Sequence, residues 1–291
     1  MTVKKLTVEE ILQLMEPGTL RYSNMLDIAR NNEWQAKIQE LKEVEKFVSD
    51  FSFLSMGRDF IMCRNYVFSL ETVVKGLELT AGSIVSCCQF GCLADANSLL
   101  RKYRDDMFFY LYLKVYDETK KINSSHKNIT KMENNIEHWI KNDLSNLQIY
   151  EVLKEIAQSP PVAEATQKYN LKSYFDQIGE RLNNYVHSNG VKYYNRNVNA
   201  YRGNELQEQL NSLLEDMQFI TVTFMFLMTV CAPYLIMSTD YIDYLECGDT
   251  PPEGSQYWVA PFVVNFLKEN LHLIDKSCID YLRENTSMKF D

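Results

Sequence analysis

The sequence predicts an all-α protein, a multi-helix bundle with long central helices, and two observations carry that prediction. Glycine and proline are scarce, with ten Gly and seven Pro in 291 residues, about half the usual share of roughly 12%. Tight turns draw on these residues, so few of them means few turns and long elements, which suits helices better than a β-rich fold. Apolar residues also recur at spacings of three and four through most of the longer segments, the signature of helices with one buried face. A composition of 46% hydrophobic and 24% charged residues is that of a globular chain with a substantial core.

The elements follow in order. Thr7-Val8-Glu9-Glu10 forms a capping box, with Leu6 and Ile11 placed as a hydrophobic staple, and Pro17-Gly18 ends the helix it starts. From Asn31 to Asp50, Ile38, Leu41, Val44, Phe47 and Val48 mark one face of a second helix. Residues 51–118 are the most apolar part of the chain, and Leu79 to Ala94 carries no charge. Two long helices are expected here, over 58–90 and 93–119. The second sets Asn97, Arg101, Arg104, Asp105, Phe108 and Tyr112 along one side. Residues 119–145 are polar and read as a surface loop with a short helix around Trp139. Ser159-Pro160-Pro161 parts two further short helices. A helix over 173–187 is capped by Ser188-Asn189-Gly190, and residues 205–244 read as long helical density. Gly248 to Gly254 is a loop, a helix starts at Pro261, and a short one closes the chain. The expected organisation is a single domain over 1–291 with a peripheral insertion at 119–170.

Between Asp216 and Asp240 lie 23 uncharged residues, long enough to cross a bilayer, which takes about 20. Thr221, Thr223, Thr229 and Pro233 dilute the run, both flanks are acidic, and no Lys or Arg anchors either end. Leu79–Ala94 offers it a partner within a core. The expectation is a buried core helix and no membrane contact, with attachment through 217–239 as the alternative. The opening MTVKKLTVEE has no apolar h-region, and seven cysteines, an odd number, sit largely in apolar runs. Reduced thiols in a cytoplasmic protein fit best. Cys88 and Cys92 read as two small core residues one turn apart, so neither a metal nor a cofactor is expected.

The net charge of −9 speaks against a polyanion binder by bulk charge. One segment departs from it. Residues 181–204 contain no Asp or Glu and carry Arg181, Lys192, Arg196 and Arg202, a formal +4, interleaved with Tyr185, Tyr193, Tyr194, Tyr201 and seven Asn. Cations attract phosphate, tyrosine faces stack on unpaired bases, and amides read base edges, so this composition suits an RNA-facing surface. A solvated, Asn-rich loop after a helix is the plain alternative. The chain has no glycine-rich phosphate loop, no Gly-x-Ser-x-Gly elbow, no His-Glu-x-x-His and no Cys-x-x-Cys. His126, His138 and His272 are isolated in the sequence.

Arg181 and His187, with five residues between them, resemble the Arg-x4-6-His motif of the HEPN superfamily, helical-bundle proteins that include RNase toxins. DANSLLRKYRDD, after an apolar Cys-rich helix, is similar to a helix of bacterial HEPN-like proteins, some from phage defence. The resemblance spans roughly residues 58–118 and 170–245. It implies a HEPN-like core, a homodimer, RNA as partner, and a metal-independent endoribonuclease with His187 as general acid/base and Arg181 as stabiliser of phosphate charge. Such a division suits an imidazole that titrates near neutrality and a guanidinium that grips phosphate oxygens. It also sets Arg101 or Asp105 toward the helix of His187. The pattern departs from the family at Leu182, where a polar residue usually follows the Arg. Six positions turn a helix by 600°, leaving Arg181 and His187 about 120° apart, whereas Asn184 shares the Arg181 face and joins the candidates. The expected binding set is Lys192, Tyr193, Tyr194, Arg196, Arg202, Arg101 and Asp105. A non-catalytic helical interaction protein, docking through the acidic and aromatic stretch Ser238–Phe262, stands beside this reading.

Overall fold

The computed structural model describes residues 28–122, 129–143, 148–160, 162–187, 191 and 205–290. Among them the chain is helical apart from one hairpin, and buried residues from Ile28 to Phe290 join one hydrophobic cluster. The capping box at Thr7–Glu10 lies outside the described residues.

Helix α1 (Asn32–Ser55) starts where the Asn31 side chain accepts from the backbone N–H of Glu33 (3.0 Å) and Trp34 (3.1 Å). Its stripe of Ile38, Leu41, Val44, Phe47, Val48 and Phe51 is buried. Helix α2 (Glu71–Gln89) lies antiparallel beside it. Ser49 donates to Glu78 (2.9 Å), and a Cβ on Gly82 would come within 3.0 Å of the Glu45 carboxylate. Gly91, at φ +70°, turns the chain into α3 (Leu93–Ile122). Cys92 N–H donates to Cys87 O (2.8 Å) and Gly91 N–H to Cys88 O (3.0 Å), a Schellman closure.

Residues 60–69 correct the expected helix over 58–90. Strand β1 (Phe60–Cys63) pairs antiparallel with β2 (Tyr66–Ser69), Ile61 opposite Phe68 and Cys63 opposite Tyr66. The segment alternates, Ile61 and Cys63 inward, Phe60 and Met62 outward, and its aromatic and β-branched residues favour strand. Arg64 makes the turn at φ +49°, held by side-chain contacts to Asn134 and Glu137 of α4 (Ile129–Ile140). Trp139 of α4 meets Phe68 edge-on at 5.0 Å. The polar stretch after residue 119 is thus less of a loop than expected: α3 runs on to Ile122, and α4 buries Ile129, Met132 and Ile136.

Helices α5 (Ile149–Gln158), α6 (Ala163–Lys168) and α7 (Leu171–Val186) follow, then α8 (Glu205–Cys231). Helices α3 and α8 are the central pair. The Tyr103 hydroxyl meets Thr221 Oγ1 at 2.8 Å, and Phe224 packs against both Tyr110 and Phe51. Helix α8 is long and apolar enough to cross a membrane, and 78% of its most apolar 18-residue window is buried within the protein. Its threonines donate to carbonyls four residues back: Thr221 to Met217 (2.6 Å), Thr223 to Phe219 (2.7 Å) and Thr229 to Met225 (2.7 Å). Pro233 ends the helical density expected to run to Tyr244, because its ring lacks an N–H. A 3-10 turn (Pro233–Ile236) and helix α9 (Asp240–Glu246) follow, then α10 (Pro261–Asn270) and α11 (Cys278–Asn285) against α8.

A buried ionic cluster ties the hairpin base to α3. Lys114, 0% exposed, donates to Asp59 (2.8 Å), which also accepts from the Tyr110 hydroxyl. Burial alone would lower the Lys114 pKa, but Asp59 and Tyr234 outweigh it and the net direction is upward. A lysine held charged in this way supports the fold and is not a neutral amine nucleophile.

Candidate functional site

Arg181, on the outer side of α7, forms an ion pair with Asp216 of α8. Asp216 is buried, and its Oδ2 has no hydrogen-bond partner. Burial pushes its carboxyl up to about 6, with Arg181 opposing the shift. The guanidinium is therefore engaged by a carboxylate that has little other compensation. His187 is exposed and caps α7, its backbone N–H donating to Asn183 O (3.0 Å). Because α7 stays helical through Val186, the roughly 120° between positions 181 and 187 is retained. Asn184 Nδ2 donates to Glu180 O (3.0 Å). None of Arg181, Asn184 and His187 lines any of the three cavities named below. Lys192, Tyr193, Tyr194, Arg196 and Arg202 lie outside the described residues.

Arg101 and Asp105 of α3 do reach a cavity. They share a cleft of about 570 Å³ with Asp106, Phe109, Trp139, Ile149 and Tyr150, between α3, α4 and α5. Arg104, between them on the helix, faces α7, where a Cβ on Gly179 would collide with its guanidinium. So the arginine that meets the helix of His187 is Arg104.

A second feature lies at the other end of the chain. Helix α9 buries none of its residues. It is fixed at its flanks by backbone bonds, Ser238 N–H to Trp258 O (2.8 Å) and Ala260 N–H to Ile236 O (2.9 Å), and is closed by Gly248 at φ +77°. Asp243, Glu246, Asp249 and Glu253 are exposed and form no ion pair among the described residues, while Leu245 is 50% exposed and Tyr244 41%. A cation nearby is Lys289, packed over Gly254. A cavity of about 780 Å³ adjoins the start of α9, lined by Thr239, Phe53, Met56, Pro261 and Phe262. It shares Asp50 and Phe262 with a further cavity of about 470 Å³, floored by Val44, Phe47 and Phe266 and rimmed by Glu40, Glu43 and Glu269. The two adjoin beside α1 over an apolar floor, and the rim is of mixed charge: Lys46 and Arg58 stand among the acids, with Asp50 paired to Lys46 and Glu40 to Lys37.

Sequence reasoning named this stretch as an alternative docking surface but missed its sharpest signal. Residues 203–267 contain no Lys or Arg and nine Asp or Glu, so this segment alone carries a formal −9. Comparison with protein-family models, curated proteins and solved structures returns no match.

Proposed function

We propose that this is a non-catalytic helical interaction protein that receives a cationic, amphipathic segment of a protein partner along α9, the loop to Gly254 and the adjoining groove beside α1. The observation that carries this reading is a helix with no fully buried residue, whose exposed carboxylates form no ion pair among the described residues and lie next to a cavity with an apolar floor. A seven-residue helix gains too little from its own hydrogen bonds to persist unsupported, so its placement depends on the backbone anchors at its ends. Lysine or arginine side chains would meet Asp243, Glu246 and Asp249, and apolar side chains would enter the groove at Phe53 and Met56. Exposed acids of this kind set association rate and partner choice, and the apolar floor supplies most of the affinity.

The competing reading is RNA cleavage by Arg181, Asn184 and His187 in a HEPN-like dimer. A phosphate on Arg181 would have to share the guanidinium with the buried carboxyl of Asp216, which holds Nη2, and meet its like charge at a cost. That cost weighs against the reading.

The test is fluorescence anisotropy of a labelled Lys/Leu amphipathic peptide, with the wild type and an Asp243→Asn, Glu246→Gln, Asp249→Asn variant. The variant is expected to bind about tenfold or more weakly, and wild-type binding to weaken with salt. Equal affinity of the two proteins overturns the docking face. RNA cleavage by the wild type that is lost in His187→Ala supports the competing reading instead.

A further inference from the structure

Arg101 differs from the cations beside it on α3. Lys102 is paired with Asp106. Arg104 holds Asp105 through Nε at 2.8 Å and Nη2 at 2.6 Å. Arg101 has only an ionic approach, Nε to Asp105 Oδ2 at 3.9 Å, and forms no hydrogen bond among the described residues. Its Nε–H is buried without an acceptor, which is costly for a charged group unless something supplies one. With Asp105 and Asp106 each matched by a neighbour, Arg101 is the surplus charge of the cleft. Arg104 takes only Oδ1 of Asp105, and Oδ2 faces Arg101 Nε at 3.9 Å, an ionic approach too long for a hydrogen bond.

The walls of the cleft are aromatic. Trp139 is held by Phe68 (5.0 Å, edge-on) and Phe109 (4.9 Å, tilted). Tyr150 is 55% exposed on the α5 side. The volume of about 570 Å³ falls in the range of small-molecule sites, roughly 300–1,000 Å³.

We propose that the cleft between α3, α4 and α5 binds a small ligand made of a flat ring and an anionic group, with the ring against Trp139 and Phe109 and the carboxylate or phosphate on Arg101. Ring stacking and the charge-assisted bond act together: the aromatic walls exclude water and so strengthen the pairing with the guanidinium. The site is independent of the acidic docking face, which lies on other elements.

Isothermal titration of the full chain tests this. The probes are adenosine 5′-monophosphate and indole-3-carboxylate, which carry both features, and adenosine and inorganic phosphate, which carry one each. At least one two-feature probe is expected to bind about tenfold more tightly than either single-feature probe. Arg101→Gln should erase that advantage while leaving the circular dichroism unchanged. Trp139→Leu should weaken every ring-bearing probe, and Arg101→Lys should retain part of the anion preference. Binding of the nucleotide alone assigns a phosphate ligand, and binding of indole-3-carboxylate alone assigns an aromatic acid. Either outcome supports the site. Absence of binding by both at about 1 mM, or equal binding by Arg101→Gln, overturns it.

Discussion

At the scale of single residues, two buried charges make opposite contributions. Asp216 has a folded-state pKa of about 6, above its unfolded value of about 3.9. A carboxyl raised on folding binds more protons in the folded state between those values, so stability falls as pH rises through that window and stays lower above it. Asp216→Asn removes the ionisation while keeping an oxygen for Arg181. The variant is expected to gain up to about 3 kcal/mol over the wild type near pH 7.5, at about 1.36 kcal/mol per unit, and almost nothing near pH 4. Denaturant unfolding at both pH values measures the difference, and a pH-independent one contradicts the assignment. Lys114 is the reverse case. Its partner Asp59 is as buried as it is, so Lys114→Met leaves a lone buried carboxylate and should cost about 3–5 kcal/mol. Adding Asp59→Asn should recover part of that loss in the same unfolding assay. An unchanged double variant would mean that the pair does not couple.

At the scale of elements, the difference between α9 and its neighbours is testable. Removing exposed, unpaired charges should change stability by no more than about 0.5 kcal/mol. The Asp243→Asn, Glu246→Gln, Asp249→Asn protein is therefore expected to unfold like the wild type, and a large loss would assign α9 a structural role instead. Elements with their own local signals were legible in the sequence. Asn31 and the stripe from Ile38 to Val48 mark α1, and Pro261 marks the start of α10. The hairpin was not legible, because Ile61, Cys63 and Phe68 continue an apolar run that also fits a helix. What selects strand is tertiary: Arg64 is held by α4, and Trp139 covers Phe68. The site was legible only in part. Arg101 and Asp105 reach the α3 cleft, but Phe109, Trp139 and Tyr150 escaped notice because they converge from three helices. The tie between Arg181 and Asp216 spans α7 and α8, and spacing along one helix says nothing about it.

At the scale of the whole molecule, charge is strongly polarised. Residues 203–267 hold no Lys or Arg, although the net charge of the entire chain is only −9. The acids of that stretch fall into two groups, those in the first half of α8 and those on α9 and its loop, and the apolar remainder of α8 is enclosed by α1, α3, α10 and α11. The anionic character that reaches solvent beside the groove is thus concentrated where the partner is proposed to dock. Hydrogen–deuterium exchange with and without the cationic amphipathic peptide is the most direct measurement of that claim. Protection is expected in residues 238–257 and in 49–58, with none in 171–187. Protection confined to α7, or spread evenly over the protein, contradicts docking at the acidic face.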